Sequence, residues 1–444
     1  MNLLRFLFFI CLFNSLLLAG NHAVAQQNKL FSEDPIAFAA ELGDFMKQAT
    51  DKESKQAMQE FAARWNTGIY QPEVQTRIIA TFNLMMSQRM RPTPAFRDYL
   101  TALNSFSPST APKNLIAWHK GLEPRIDSKS LRALSRFLEN TAELNQKRVL
   151  FRSQANSWQF RNGSFSWNFD STLFVELENV DLVCISGRDS IRIFKTSGIH
   201  FPETEQFKGR GGVVLWETFG FDPTKVYATP GNYLINLKQT GWSADTVNFY
   251  HKDFFGFPLT GRLEDRVMTG ISPDRATNPR FVSYQTDLEF KQIFKGIDYR
   301  GGFTLEGTRI IGSGYADRDA VIWISRKGSP VLKLSSRSFV IRPERISSQR
   351  TSATWYYESD SLFHPGLQFT YNDQSKEITL LRQGEGTASS PFFNSWHNLD
   401  MYFESFSYKM ETDSINFEMM KGIRQQGSRS EEHTSELQSP NTIS

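Results

Sequence analysis

Histidines, cysteines and paired carboxylates are the side chains that would carry chemistry in this chain, and their spacing supports little of it. His119, His200, His251, His364 and His397 never pair at zinc-ligand spacing. Neither an HExxH nor a CxxC motif occurs, so no metal site is expected. No GxSxG elbow opens a helical pattern, which leaves nucleophilic hydrolase chemistry of that kind unsupported. Gly209-Arg210-Gly211-Gly212 is basic and glycine-rich, but it lacks the Lys-Ser/Thr of a phosphate loop and reads as a turn. Glu264 and Asp265 are neighbours, so in a strand they point to opposite faces and cannot act together as a glycosidase pair. Catalytic and cofactor-binding residues are therefore expected to be absent, unless distant strands assemble them.

Two patterns remain. The first is an echo of carboxylates: Asp189-Ser190-Ile191, Asp245-Thr246-Val247, Asp319-Ala320-Val321, Asp360-Ser361-Leu362 and Asp413-Ser414-Ile415. An Asp-Ser or Asp-Thr step before a strand closes a turn through backbone hydrogen bonds. That reading is preferred to a row of metal or sugar ligands, because single spaced carboxylates lack the ligand density of a calcium loop. The second is aromatic crowding. Trp242, Phe249, Tyr250, Phe254, Phe255 and Phe257 surround His251, Lys252 and Asp253, and Trp355-Tyr356-Tyr357 repeats the theme. Such rings form either packed core or a ligand surface on which sugars or lipids lie. The candidate surface is Trp242, Phe249, Tyr250, Phe254, Phe255, Trp355, Tyr356 and Tyr357.

The elements that must position these residues change character along the chain. Residues 30–148 show helical spacing. Asp34-Pro35 opens a first helix, Thr50 to Glu53 fits a capping box, and Pro72 to Met90 carries a third stripe. A fourth helix is marked by Phe96, Tyr99, Leu100 and Leu103, a short fifth lies between Pro112 and Gly121, and a sixth runs from Ser128 to Gln146. The stripes read as the core of a helical bundle, and His119 reads as a helix-end charge. Residues 149–428 alternate instead, as in Phe165/Trp167/Phe169 and Leu173/Val175/Leu177, the mark of strands with one buried face. The organising stretch is Arg300 to Ile324, where Gly301, Gly302, Gly307, Gly312 and Gly314 punctuate short apolar runs. The predicted class is α+β and multidomain: an N-terminal helical bundle followed by an extended all-β body of stacked or solenoid-like sheets.

The two ends read differently from the rest. Residues 1–25 have a basic start at Arg5, an apolar core and Ala23-Val24-Ala25, which predicts a secretory signal peptide. Cys11 falls within it, leaving Cys184 as the single mature thiol, unable to form an internal disulfide and read as a small buried hydrophobe. Residues 429–444, beginning Arg429-Ser430-Glu431-Glu432, resemble a translated sequencing adapter and are set aside as an artefactual tail, so the β body is expected to be truncated near Ser428. The whole chain carries 50 Lys and Arg against 47 Asp and Glu. Setting aside Arg5, Arg429, Glu431, Glu432 and Glu436 leaves 48 against 44, too even for a nucleic-acid footprint.

The short strands, glycine turns and recurrent Asp-Ser/Thr-apolar step over about Asp189 to Phe417 resemble the periplasmic β-solenoid modules of the organic-solvent-tolerance and lipopolysaccharide-transport family. The uneven spacing of the echo and the long helical front depart from that pattern. The resemblance implies lipid or glycan handling in the cell envelope. The expected role is an exported, non-enzymatic envelope scaffold or binding protein for glycan, lipid or protein, periplasmic, outer-membrane-associated or extracellular, with membrane association through the missing C-terminal region. The alternatives are a carbohydrate-active enzyme on a β-helix and part of an outer-membrane β-barrel protein.

Overall fold

A computed structural model describes residues 30–383 and 389–419. The expected signal peptide with Cys11, and the adapter-like tail, lie outside the described residues. Strand outweighs helix, 45% against 24%, which gives an α+β chain with a mostly β body. The chain divides into two compact units. One runs through Leu150 and includes Phe165–Glu176 and Phe201–Thr204; the other holds Phe151–Ser164, Leu177–His200 and the chain from Glu205 onward.

The first unit contains α1 (Pro35–Met46), α2 (Lys52–Asn66), α3 (Pro72–Ser87), α4 (Arg97–Asn104), α5 (Pro112–Asp127) and α6 (Leu131–Lys147). Asp34 caps α1 as expected, its carboxylate accepting from the Ile36 and Ala37 amides. The cap of α2 is Asp51, which accepts from the Ser54 amide, so the capping residue lies one position beyond the expected Thr50. Helix α5 does not stop at Gly121 but continues through Pro124. Gly121 is needed there: a Cβ on it would stand 2.6 Å from the Leu173 side chain.

Because α5 runs on, His119 is an interior residue rather than a helix-end charge. It is fully buried. Its Nε2 lies 2.8 Å from the Tyr99 hydroxyl and its Nδ1 2.7 Å from the Leu115 carbonyl. Trp118 stacks on Tyr99 with ring centroids 5.9 Å apart and donates its indole N–H to Thr141. The stripes are core, as read from the sequence, and each fully buried large side chain contributes about 1.5–3 kcal/mol.

The strands are β1 (Val149–Arg152), β2 (Ser157–Arg161), β3 (Ser164–Phe169), β4 (Leu173–Ser186), β5 (Asp189–Phe201), β6 (Gln206–Arg210), β7 (Val214–Leu215), β8 (Val226–Thr229) and β9 (Asn232–Asn236). They continue as β10 (Gly241–His251), β11 (Leu259–Arg266), β12 (Arg280–Ser283), β13 (Leu288–Phe294), β14 (Ile297–Glu306), β15 (Arg309–Ser313), β16 (Ala320–Arg326), β17 (Ser329–Ser336) and β18 (Ser338–Arg342). The last are β19 (Arg345–Tyr357), β20 (Asp360–Asn372), β21 (Glu377–Leu381), β22 (Phe392–Asn394), β23 (Leu399–Met401), β24 (Ser405–Lys409) and β25 (Ser414–Glu418). A seven-stranded sheet has the order β1-β2-β4-β5-β6-β9, with β3 also on β4.

The remaining strands pair antiparallel, and β14 shows how. Its first half pairs with β13 on one edge and β16 on the other, while its second half pairs with β12 and β15. Strand β19 is shared in the same way, first with β18 and then with β17, and β20 continues into β21 and β22. Two ladders therefore run side by side and share β14, β19 and β20, and the pairings close the ring β14-β15-β18-β19-β17-β16. Where β19 passes from one ladder to the other, its register shifts around Thr351, as a bulge that bends a strand would produce.

Period-two alternation then fixes the interior. In one ladder Tyr299, Ile322, Leu334, Ala353 and His364 are successive cross-strand partners, all buried. In the other the row is Leu305, Ile310, Ile341, Ile346, Tyr371 and Ile378, again all buried. The two inner faces meet: Trp355 lies 4.7 Å from Tyr408 and Phe294 5.3 Å from Tyr371, ring to ring.

Tyr299 explains two of the glycines in the organising stretch. Its hydroxyl, which donates to the Gly302 carbonyl at 2.6 Å, would collide with a Cβ on Gly301, and a Cβ on Gly312 would stand 2.6 Å from the ring. Gly312→Ala should therefore destabilise the chain by about 1–3 kcal/mol, the usual range for overpacking. Gly256→Ala, where a Cβ meets open space, should be near neutral. Urea midpoints of the two variants check this, and equal midpoints would contradict it.

Candidate functional site

The outward face of the ladder that holds β16 carries a line of side chains that runs from half-buried at Trp323, Lys333 and Thr354 to exposed at Phe363 and Phe393. On β16 the isoleucines Ile322 and Ile324 point in and Trp323 points out. Successive cross-strand partners of Trp323 are Lys333, Thr354, Phe363 and Phe393. The Lys333 ammonium sits 5.2 Å from the centroid of the Trp323 ring. Tyr356 lies nearly parallel to Trp323, 6.5 Å away. Phe363 and Phe393 are exposed, and beyond them Tyr357 stacks on Trp396 at 5.6 Å.

Beside this line is a groove of 700 Å³ lined by Trp323, Lys333, Arg300, Asp287, Tyr315 and the segment Asp317 to Asp319. Arg300 grips Asp287 with two hydrogen bonds of 2.7 Å. That pairing holds the Asp287 carboxyl below the usual carboxylate range and the guanidinium firmly charged. Asp319 is tied to Arg337 at 3.2 Å. A glycosidase acid must stay protonated near neutral pH, and Asp287 is pushed the opposite way. The groove offers planar rings with balanced charges of both signs, which suits an uncharged, hydroxyl-rich ligand. The 780 Å³ groove of the first unit is lined by Glu60, Asp98, Glu139 and Lys147 among others and presents no ring.

The structure divides the aromatic residues singled out in the sequence. Trp242, Phe249 and Phe255 are buried, and this corrects the expectation that they form a ligand surface. Phe249 stacks on Phe281 at 4.6 Å, Trp242 lies 5.0 Å from Tyr233, and Phe255 lies 5.4 Å from Phe290. Tyr250 is half-buried on Tyr227, and Phe254 is half-buried against His251. Trp355 faces the interior, whereas Tyr356 and Tyr357 are exposed. Trp323, Phe363, Phe393 and Trp396 were not singled out. Trp323 sits in the continuous apolar run Val321 to Ile324, where the phase of alternation is hidden.

The five echo carboxylates do not converge. Asp189 accepts from the Gly270 amide, Asp245 pairs with Arg262, Asp360 accepts from Ser395 and Asp413 accepts from Tyr408. Among the described residues no group of three or more His, Cys, Asp and Glu side chains is placed to hold a metal ion. Burial pushes the Cys184 thiol up to about 12, so it is no nucleophile. Comparison of the chain with protein-family models, with curated proteins and with solved structures finds no match.

The buried titratable groups have an electrostatic consequence. Burial pushes His119, His200 and His251 each down to about 4. Burial pushes Asp265 up to about 7, although the Trp216 indole donates to it at 3.2 Å. Unfolded histidines take up protons below about pH 6.5 while these stay neutral. Their contribution is therefore complete above that pH and is lost as the pH falls toward 4. Asp265 has the opposite sign: its contribution is lost as the pH rises through about 7. Three groups outweigh one, so the urea midpoint followed by tryptophan fluorescence should be lower at pH 4.5 than at pH 7.5. For each group, a tenfold change in proton affinity on folding corresponds to about 1.4 kcal/mol. Asp265→Asn should raise the midpoint more at pH 7.5 than at pH 4.5; an equal change at both would contradict the assignment.

Proposed function

We propose that the chain is an exported, non-enzymatic binding protein of the cell envelope, whose six helices form a bundle and whose β body is a short solenoid-like roll presenting the Trp323 face to a glycan. The roll reading is supported by the two ladders, in which each successive rung contributes one stretch of strand to either side. An outer-membrane barrel fits less well, because a lipid-facing surface is apolar and the outward row here includes Lys333, Asp298 and Arg300.

The observation that carries the glycan reading is the Trp323-Lys333-Tyr356 platform beside the Arg300-Asp287 pair. Flat rings cover the apolar faces of sugar rings, and fixed charged hydrogen-bonding groups satisfy the hydroxyls at the edges. The near balance of charge in the groove disfavours a polyanionic ligand.

Affinity electrophoresis and calorimetry against a panel of neutral polysaccharides test this. The expected result is retardation of the wild type by at least one of them. Trp323→Ala and Tyr356→Ala should each weaken binding by about 0.5–1.5 kcal/mol, and Tyr284→Ala, an exposed ring outside the platform, should not. Wild-type protein that migrates freely in every gel, or a Trp323→Ala variant that binds as the wild type does, would overturn the proposal.

A further inference from the structure

A second cavity in the β-rich unit is unlike the platform. It measures 380 Å³, toward the small end of the range for small-molecule pockets. Its floor is the cross-strand pair Ile310 and Ile341, 7% and 3% exposed. Phe221, Phe254 and Phe294 supply its walls. His251 also lines it, 6% exposed, with a buried Nδ1 that has no hydrogen-bond partner. Its ring lies 4.5 Å from Phe254 and 6.3 Å from Phe221. Burial keeps this imidazole neutral at ordinary pH, so the wall it forms carries no charge of its own.

The rim is charged and uneven. Lys225 is neutralised by Asp253 at 2.9 Å, and Asp222, which also lines the cavity, accepts from the Thr224 amide and hydroxyl at 2.9 and 2.7 Å. Arg342 also lines the cavity, and directly across the strand pair from it stands Arg345. Neither guanidinium makes an ion pair among the described residues; the Asp274 carboxylate is near enough to Arg342 only to feel its charge. Like charges placed directly opposite each other in a ladder are unfavourable, and an anion between or beside them removes that cost.

We propose that this cavity binds a small amphiphilic anion, its apolar body against Ile310, Ile341 and the three phenylalanines and its carboxylate or sulfonate at Arg342. The shared chemistry admits an acyl chain or an aromatic acid. The site is independent of the glycan platform: it lies on other residues and takes another class of ligand.

The test uses 8-anilinonaphthalene-1-sulfonate as a fluorescent probe, with decanoate, decanol and 2-naphthoate as competitors, on the folded chain. The wild type should give saturable binding at one site, displaced by decanoate or 2-naphthoate and at least tenfold less well by decanol. Displacement by decanoate alone assigns an acyl anion, and displacement by 2-naphthoate alone an aromatic one. Arg342→Gln should weaken probe binding roughly tenfold, as for loss of a charge-assisted contact. Thr308→Trp, which fills the cavity from its half-buried edge, should abolish it. Circular dichroism and urea midpoints confirm that both variants fold. Trp323→Ala should leave probe binding unchanged. Absence of saturable binding, decanol competing as well as decanoate, unchanged binding in both folded pocket variants, or loss of binding in Trp323→Ala would overturn the proposal.

Discussion

Three long strands, β14, β19 and β20, each serve two ladders at once, and most of the β-rich unit depends on that sharing. A strand has one alternation of side chains. When it passes from one ladder into the next, the same alternation must supply an apolar inner face on both sides of the bend. Tyr299 and Leu305 on β14, and Ile346 and Ala353 on β19, meet this requirement. The bulge around Thr351 resets the phase where simple alternation would turn the wrong side chains inward.

The interior holds imidazoles and one carboxyl, and their neutrality is a condition of the packing. His119 is held between Tyr99 and the Leu115 carbonyl. His364 accepts from the Gly366 amide and sits beside the Ser390 carbonyl. Asp265 takes an indole N–H. Each is a buried polar group whose hydrogen bonds offset part of its desolvation. His251 differs, because one of its nitrogens is buried without a partner beside a cavity rather than inside closed packing.

Two places in the β-rich unit where ligands can be met offer different chemistries. The Trp323 face combines rings with charges that already neutralise one another. The cavity at Ile310 and Ile341 is apolar within and bears at its mouth Arg342, which makes no ion pair among the described residues. Fixed ion pairs act through hydrogen-bond geometry, whereas an unpaired guanidinium adds net attraction for an anion.

Much of the fold was legible in the sequence, because helix caps and period-two alternation are local. Asp34-Pro35 opens its helix where expected, and the alternating segments Phe165/Trp167/Phe169 and Leu173/Val175/Leu177 fall in strands. The helix end at Gly121 was misplaced, because packing against Leu173, a contact distant in sequence, favours a helix interior there. The candidate site was less legible. A ring in an unbroken apolar run such as Val321 to Ile324 does not reveal which face it occupies, and only pairing with β14 and β17 turned Trp323 outward. Trp242 and Phe249 carried the same local signal as Tyr356, yet neighbouring strands covered them. Alternation within a strand is set by its own residues, whereas which side of it meets water is set by whatever packs against it.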